Sequence, residues 1–531
     1  MRNQETLLLE NANIYTFGEP SGPVESLAIQ DGRVFALGDR EQLRQTIPST
    51  FTRIDLGGRV ILPSLTDSHI HFEKFSLNHE HIDCDTNSID ECLSQIQSIA
   101  EMLEPGEWIR GHGWDQNLWG RYGTKEELDR VTGSNPAYIT AKSLHAAWAN
   151  TTALNQAGLS ANSADPPKGK LQRREDGSLT GILYEYAMLL ISDIIPRPSP
   201  SDLSQIMLRG QDELLRLGIT SIHDFDGTRC LRALQLLRED SLQQLRVVKS
   251  IHFDDFESYI EAGLHTGFGD EWIRIGAVKL FSDGALGPHT AAMLDPYEVD
   301  ASNSGFLLLT EEEIIEIGKR AVLNGLALAI HAIGDQANRV VLDAFQELRT
   351  FETKNRIKPL AHRIEHLQLI SEEDTRRPAD LDIIVSMQPI HATSDMRMAD
   401  RYWGDRVQQS YGWRSQIDSG SKLVFGSDAP VDSANPFLGI YAAITRKLPG
   451  VAADAEPWVP EQRIKLQEAF NAYSVWPAQS VGLGSKLGRL LPGYLADLIV
   501  LDDDPFLLDN SELPTIKPSG VMVNGKWYFL D

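Results

Sequence analysis

His69 and His71 close the apolar run Val60 to His71, with one residue between them. Successive strand side chains alternate faces, so both imidazoles point the same way and can chelate one divalent metal. Alone, a His-x-His pair is weak, because such pairs are more often hydrogen-bonded or exposed. Three more residues sharpen it. His331 ends Leu-Ala-Leu-Ala-Ile-His, His366 ends His-Arg-Ile-Glu-His, and Asp428 lies in Val-Phe-Gly-Ser-Asp-Ala-Pro. Each is an ionisable group at the end of an apolar run, where burial without a partner is costly and a shared metal removes the cost. The bland alternative is a set of separate, satisfied buried groups. Lys279, within Ala-Val-Lys-Leu-Phe, leaves two readings open. Carboxylated by CO2, it becomes an anionic carbamate able to bridge two cations; unmodified, it pairs with Asp283 or another carboxylate. Glu365 should face away from His366 by strand alternation and serve structure. His223 and His252 are read as core or supporting residues.

Elements that can hold these residues recur along the chain. Strands are expected at Val60 to His71, Gly218 to Phe225, Arg246 to Phe253 and Arg274 to Asp283. Four more are expected at Leu326 to Asp335, His362 to Leu367, Asp382 to Pro389 and Lys422 to Pro430. Segments such as Glu311 to Leu323 and Asn338 to Thr350 carry apolar residues at helical spacing. This α/β alternation predicts a (β/α)8 TIM-type barrel with its active site at the C-terminal strand ends. An open doubly wound sheet is the rival, but it would place a ligand at one crevice. Roughly 145 residues separate the first two strands, far beyond an ordinary βα connection. Residues 72–217 are therefore read largely as an insertion or lid over the barrel mouth, within a hydrolase unit spanning 61–484. Short strands and turns at both ends of the chain predict that 1–60 and 485–531 form one composite β-sandwich domain.

Composition narrows the function classes. The 531 residues are 42% apolar and 23% charged, as in a globular protein with a large core. A net charge of −26 repels phosphates and anionic surfaces, which excludes nucleic acid and membrane as expected partners. Met1 to Glu10 is too short an apolar stretch for a secretory signal, and no apolar run reaches the length of a membrane span. Three cysteines, Cys84, Cys92 and Cys230, without Cys-x-x-Cys spacing argue against a disulfide framework and a cysteine-ligated zinc, and fit a cytoplasmic protein.

The ordered motifs resemble the amidohydrolase superfamily, specifically its YtcJ-like branch (amidohydrolase family 3), which includes N-substituted formamide deformylases. The resemblance runs through Asp67-Ser68-His69-Ile70-His71, Gly113-Trp114-Asp115-Gln116-Asn117, His145-Ala146-Ala147-Trp148-Ala149-Asn150 and Gly218 to Asp224. It continues through Lys279 to Gly287, His331 to Asp335, Arg363 to His366, Gly426 to Pro430 and Leu491 to Leu498. The family's Pro-Gly before its first histidine motif is here Pro63-Ser64. The resemblance implies that His69 and His71 hold one metal and His331 and His366 another. It further implies two zinc ions per chain, with carboxylated Lys279 as the bridge and Asp428 completing the site. Asp428 would accept the proton of the attacking water and pass it to the leaving amine. Trp114, His145 and Asp283 are the substrate-pocket candidates. The expected reaction is hydrolysis of a small molecule's non-peptide C–N bond (amide, formamide or acylated amine) by metal-activated hydroxide. A homodimer is a family-level expectation. Two rivals remain: a mononuclear-metal deaminase of a cyclic amidine, with no need of Lys279, and a non-catalytic scaffold or regulatory protein. Trp108, Trp114, Trp119 and Trp148 in the insertion point towards an apolar or aromatic substrate.

Overall fold

The computed structural model describes residues 6–19, 22–47, 50–452 and 454–531. Residues 1–5, part of the segment read against a secretory signal, lie outside the described residues. Eight parallel strands form one sheet in chain order: β1 (Leu65–Ile70), β2 (Ile219–Asp224), β3 (Arg246–His252), β4 (Ile273–Phe281), β5 (Leu328–Ala332), β6 (Arg363–His366), β7 (Ile384–Met387) and β8 (Lys422–Phe425). All eight expected strands are present. β1 and β8 share no ladder, yet the segment after β8 closes the ring. Asp428 donates its backbone N–H to the His69 carbonyl at 2.7 Å, and His71 donates to the Ala429 carbonyl at 2.9 Å. The result is a nearly closed barrel.

That closure depends on Gly426. A Cβ built there would lie 2.4 Å from the His69 backbone nitrogen and 2.7 Å from Asp67 Oδ1. The obstacle is backbone, which cannot swing aside as a flexible side chain could. Gly426→Ala is expected to lower stability by about 1–3 kcal/mol, the usual cost of overpacking. Thermal unfolding checks this, and an unchanged midpoint would show that the seam yields freely.

The run Val60 to His71 is two strands rather than one. Val60–Pro63 belongs to another sheet, and the chain crosses at Ser64 into β1. Ser64 N–H donates to the Asp497 carbonyl at 3.1 Å, while Leu65 N–H donates to the Gly218 carbonyl at 3.0 Å, so adjacent residues serve two sheets. The other sheet has the order Asn13–Ile14, Val60–Pro63, Leu498–Leu501, Gly520–Val523 and Lys526–Leu530, uniting both chain ends. A four-stranded sheet of Arg33–Gly38, Ser26–Gln30, Thr6–Glu10 and Thr52–Asp55 packs against it around Leu9, Leu27, Ile61, Leu498 and Met522. The strand Thr52–Asp55 lacks the apolar alternation that would mark it in sequence. A buried ion pair fastens this sandwich to the barrel: Arg246 at the start of β3 donates to Asp497 from both Nε and Nη2.

Within 72–217 lies a six-stranded sheet: Gly169–Arg173, Leu179–Glu185, Ala146–Ala149, Ala137–Ala141, Ile109–Trp114 and Ile82–Asp83. The segment ends in helix Pro200–Arg216, whose Leu203, Met207, Leu214 and Leu215 join the barrel's core. The six-stranded unit is pinned to the barrel mouth. His112 Nε2 lies 2.9 Å from the Pro430 carbonyl, Gln116 Nε2 donates to the Gly287 carbonyl at 3.2 Å, and Tyr402 donates to Asn117 Oδ1 at 2.7 Å. Among the described residues, no helix is long and apolar enough to cross a membrane.

Candidate metal centre and active site

The ends of β1, β5, β6 and β8 bring His69, His71, His331, His366 and Asp428 together at the barrel mouth. Ring centroids are 4.9 Å apart for His69 and His366 and 4.6 Å for His331 and His366. Asp428 Oδ1 lies 3.4 Å from His69 Nε2 and 3.6 Å from His71 Nε2. His69, His366 and Asp428 each offer a ligand atom within 4.8 Å of the others.

Each imidazole is oriented by a hydrogen bond on one nitrogen, which leaves the other free. His69 Nδ1 meets Glu365 Oε2 at 2.6 Å, His71 Nδ1 meets Asp226 Oδ1 at 3.0 Å, and His366 Nδ1 meets Gln388 Oε1 at 2.8 Å. In all three the acceptor draws the ring proton to Nδ1 and leaves a lone pair on Nε2, the usual support of a metal-ligating histidine. In His331 the roles reverse: Nε2 donates to the Gly284 carbonyl at 2.9 Å, leaving Nδ1 bare. Burial pushes all four imidazoles below their ordinary pKa, His71 to about 4, so they are neutral donors. Burial raises Asp428 to about 7, with Lys279 pulling the other way. His69 Nε2 and Asp428 Oδ1 are buried without a hydrogen-bond partner. A divalent cation between them would satisfy both, so the donors present fit a metal.

Glu365 corrects the sequence expectation, since it touches His69 instead of turning away. Alternation holds only for extended backbone, and His366 has φ +79° with Leu367 at +43°. The left-handed turn at the end of β6 lets Glu365 and His366 serve the same site. Asp428 shows the same feature, with φ +60°. Such conformations are unfavourable for non-glycine residues and concentrate at functional sites.

The carbamate-bridged pair of zinc ions is overturned. Among the described residues, the two clusters of ligand-type side chains are His69–His366–Asp428 and Asp224–Asp226–Cys230, and neither includes Lys279. Lys279 Nζ instead sits 4.8 Å from the ring centre of Phe225 and 4.9 Å from that of Phe281. Burial lowers its pKa to about 8, while the charges of Glu365 and Asp428 hold it up. Two aromatic faces stabilise a buried cation that composition alone makes look unsupported. The pairing with Asp283 is absent too. Asp283 accepts backbone N–H groups from Ala292 and Gly334 at 2.9 Å each and from Ile333 at 3.1 Å, and so braces two loops.

Cys230 was expected to take no part in metal ligation, yet it lies with two carboxylates in the second cluster. That cluster already contains a cation. Lys249 Nζ pairs with Asp224 Oδ2 at 2.9 Å and donates to the Ser250 carbonyl at 2.9 Å. Asp226 meanwhile orients His71 and accepts the Glu73 N–H at 2.7 Å. Lys249, Asp226 and Gln388 escaped the sequence reading; only the pair Asp224 and Asp226, two apart at a strand end, carried a signal.

The insertion supplies His145. Its ring centroid is 5.4 Å from that of His331, and its Nδ1 lies 2.9 Å from Glu185 Oε2. Glu185 Oε1 accepts from Thr290 Oγ1 at 2.8 Å, tying insertion to barrel. Burial works against charge on His145, but Glu185 outweighs it and raises the pKa above the ordinary value. Trp114 is placed differently: it is buried in the insertion's own core and donates its indole N–H to the Ile139 carbonyl at 2.8 Å. His223 accepts from Arg363 at 3.0 Å, and His252 stands at the exposed end of β3.

Comparison with known proteins adds independent findings. A family model described as "Amidohydrolase family" matches residues 52–529. The chain is 28% identical over 525 residues to "Putative amidohydrolase YtcJ" of Bacillus subtilis, covering 97% of both chains. It is 25% identical over 544 residues to an N-substituted formamide deformylase of Arthrobacter pascens, covering 99% of this chain and 98% of that one. Among solved structures, an uncharacterized metal-dependent hydrolase from Pyrococcus horikoshii superposes with a TM-score of 0.77 at 29% identity, covering 95% of this chain and 99% of the other.

Proposed function

The chain belongs to the amidohydrolase family and is a metal-dependent hydrolase of a non-peptide C–N bond; from that premise we propose that His69, His366 and Asp428 hold the metal and that the substrate is a small amide, formamide or acylated amine. The observation that carries this reading is the pair of buried, unpartnered atoms His69 Nε2 and Asp428 Oδ1, 3.4 Å apart. His71 and His331 stand beside them with bare ring nitrogens. Nitrogen and oxygen donors suit several first-row divalent ions. When bound, such an ion polarises a carbonyl and lowers the pKa of water towards neutrality. The remaining work falls to side chains. Asp428 takes the proton of the attacking water and delivers it to the leaving nitrogen. Glu365, Asp226 and Gln388 keep their histidines in the ligating tautomer. His145, held by Glu185, contacts the substrate from the insertion, and Asp283 braces the loops around it. The free, buried cysteines support a reducing, cytoplasmic setting.

Metal removal tests the reading. Dialysis of the purified chain against a chelator is expected to abolish turnover across a panel of N-substituted formamides and amides, and added divalent ion to restore it. Full turnover by a chain shown to be metal-free by mass spectrometry would overturn the assignment. The seating of Lys279 Nζ against the Phe225 and Phe281 rings favours a second reading, the mononuclear deaminase, which has no need of this lysine. Ammonia release from a cyclic amidine, without cleavage of any amide in the panel, would select it.

A further inference from the structure

Lys249 stands on β3, fully buried, and takes no part in the hydrolytic steps. Its ammonium has three N–H donors, and three acceptors surround it. Asp224 Oδ2 and the Ser250 carbonyl each lie at 2.9 Å, and the Asp226 carbonyl is the third. Burial works against the charge, but Asp224 outweighs it and raises the pKa above the ordinary lysine value. The cation is thus committed to one short segment, Asp224 to Asp226, at the end of β2.

That segment in turn grips the chain at His71. His71 immediately precedes helix Phe72–Asn78, and its side chain does not cap the helix. The first N–H groups of the helix, which have no partner within it, are satisfied from the end of β2. Phe72 donates to Asp224 Oδ1 at 2.8 Å, and Glu73 and Lys74 donate to Asp226 Oδ2 at 2.7 and 3.2 Å. Asp226 Oδ1 is left for His71 Nδ1, at 3.0 Å. The Asp226 backbone is pinned on both sides: its N–H donates to Asp224 Oδ2 at 3.3 Å, and its carbonyl accepts from Lys249. Two buried carboxylates this close repel each other, and the ammonium seated against Asp224 offsets that repulsion.

We propose that Lys249 is a positioning residue, fixing the His71 ring at the metal centre through the Asp224–Asp226 pair. The inference rests on the reading that a metal occupies the barrel mouth. His71 Nε2 lies 3.6 Å from Asp428 Oδ1, and the bond at Nδ1 sets the orientation of the ring. Without the ammonium, the Asp226 carbonyl loses its donor and the two carboxylates lose the charge that offsets them. Asp226 is then free to swing from His71, and the ring to turn Nε2 away from Asp428. Arg246 offers the contrast on the same strand. It too is a buried cation, but its partners are Asp497, Asn524 and the Glu271 carbonyl, at the start of β3.

The test uses the full chain carrying isotope-labelled histidine, observed by NMR without metal and then titrated with zinc against a chromogenic chelator. In the native chain, His71 Nδ1–H held by Asp226 is expected as a downfield proton signal slow to exchange with water. Its absence from His71→Gln assigns it. Lys249→Met should abolish that signal and weaken zinc binding about 10–100-fold, the usual effect of losing a histidine's outer support. Arg246→Met, which breaks a buried pair elsewhere, should leave both unchanged. Circular dichroism verifies that each variant is folded. Where Lys249→Met fails that check, Asp224→Asn replaces it, removing the charge that anchors the ammonium and keeping an oxygen for the Phe72 N–H. No such signal in the native chain, or a persistent signal or native zinc affinity in the folded variant, would overturn the inference. Equal losses in Arg246→Met would overturn it too, by showing a general loosening of the barrel. Loss of the signal on substituting Lys249, in a chain whose native form binds no zinc, would count against the metal-centre reading and leave the positioning of His71 standing.

Discussion

Asp428→Asn is expected to lower kcat by roughly 10²–10⁴-fold, the usual contribution of a positioned acid–base group. Metal content should change little. Asparagine keeps an oxygen of the same reach, and it tolerates the left-handed backbone at this position, φ +60°, better than most residues. The backbone there is held independently of the carboxylate, because its N–H donates to the His69 carbonyl and the preceding Ser427 N–H donates to Asp67 Oδ1 at 3.0 Å. What the substitution removes is the capacity to carry a proton between water and the leaving nitrogen. Steady-state kinetics beside metal analysis separates the two effects. Wild-type kcat in a metal-replete variant would end the assigned role; loss of metal together with activity would make Asp428 a ligand first.

Glu365 offers the largest expected effect on stability. Arg363 donates to both of its oxygens, and the two side chains are 6% and 0% exposed. The same carboxylate holds His69 Nδ1. Glu365→Leu strands a buried guanidinium, whose remaining partners are His223 and the Ser68 carbonyl. Breaking such a pair from one side costs roughly 3–5 kcal/mol. The milder Glu365→Gln keeps an acceptor for one neighbour and is expected to weaken metal affinity by about 10–100-fold, as loss of a histidine's supporting carboxylate does. Denaturant unfolding of the leucine variant and metal competition with the glutamine variant check these separately. A leucine variant as stable as the wild type would show that Arg363 finds water or another partner.

Much of the barrel is legible because periodicity and burial are local properties. Strand candidates such as Arg246 to Phe253 and helices such as Glu311 to Leu323 are written as apolar residues at fixed spacing, and they recur as β3 and as helix Glu311–Leu323. The exception is instructive. Val60 to His71 reads as one strand because its apolar character is unbroken, yet the chain changes sheets at Ser64. No local pattern marks that crossing, since residues on both sides are equally buried.

Sequence by itself determined which residue types meet at the barrel mouth, because an ionisable group ending an apolar run has few other uses. His69, His71, His331, His366 and Asp428 follow from that argument and from the resemblance. Tertiary structure alone decided what each group faces. Lys279 rests between Phe225 and Phe281, Lys249 fills the Asp224–Asp226–Cys230 cluster, and Trp114 packs into the insertion's core. Left-handed backbone at His366 turns Glu365 onto His69 against the alternation rule. The physical reason is common to all of these. Alternation and helical periodicity act between near neighbours in the chain, whereas ion pairs, aromatic faces and hydrogen-bond partners act through space between elements far apart in sequence.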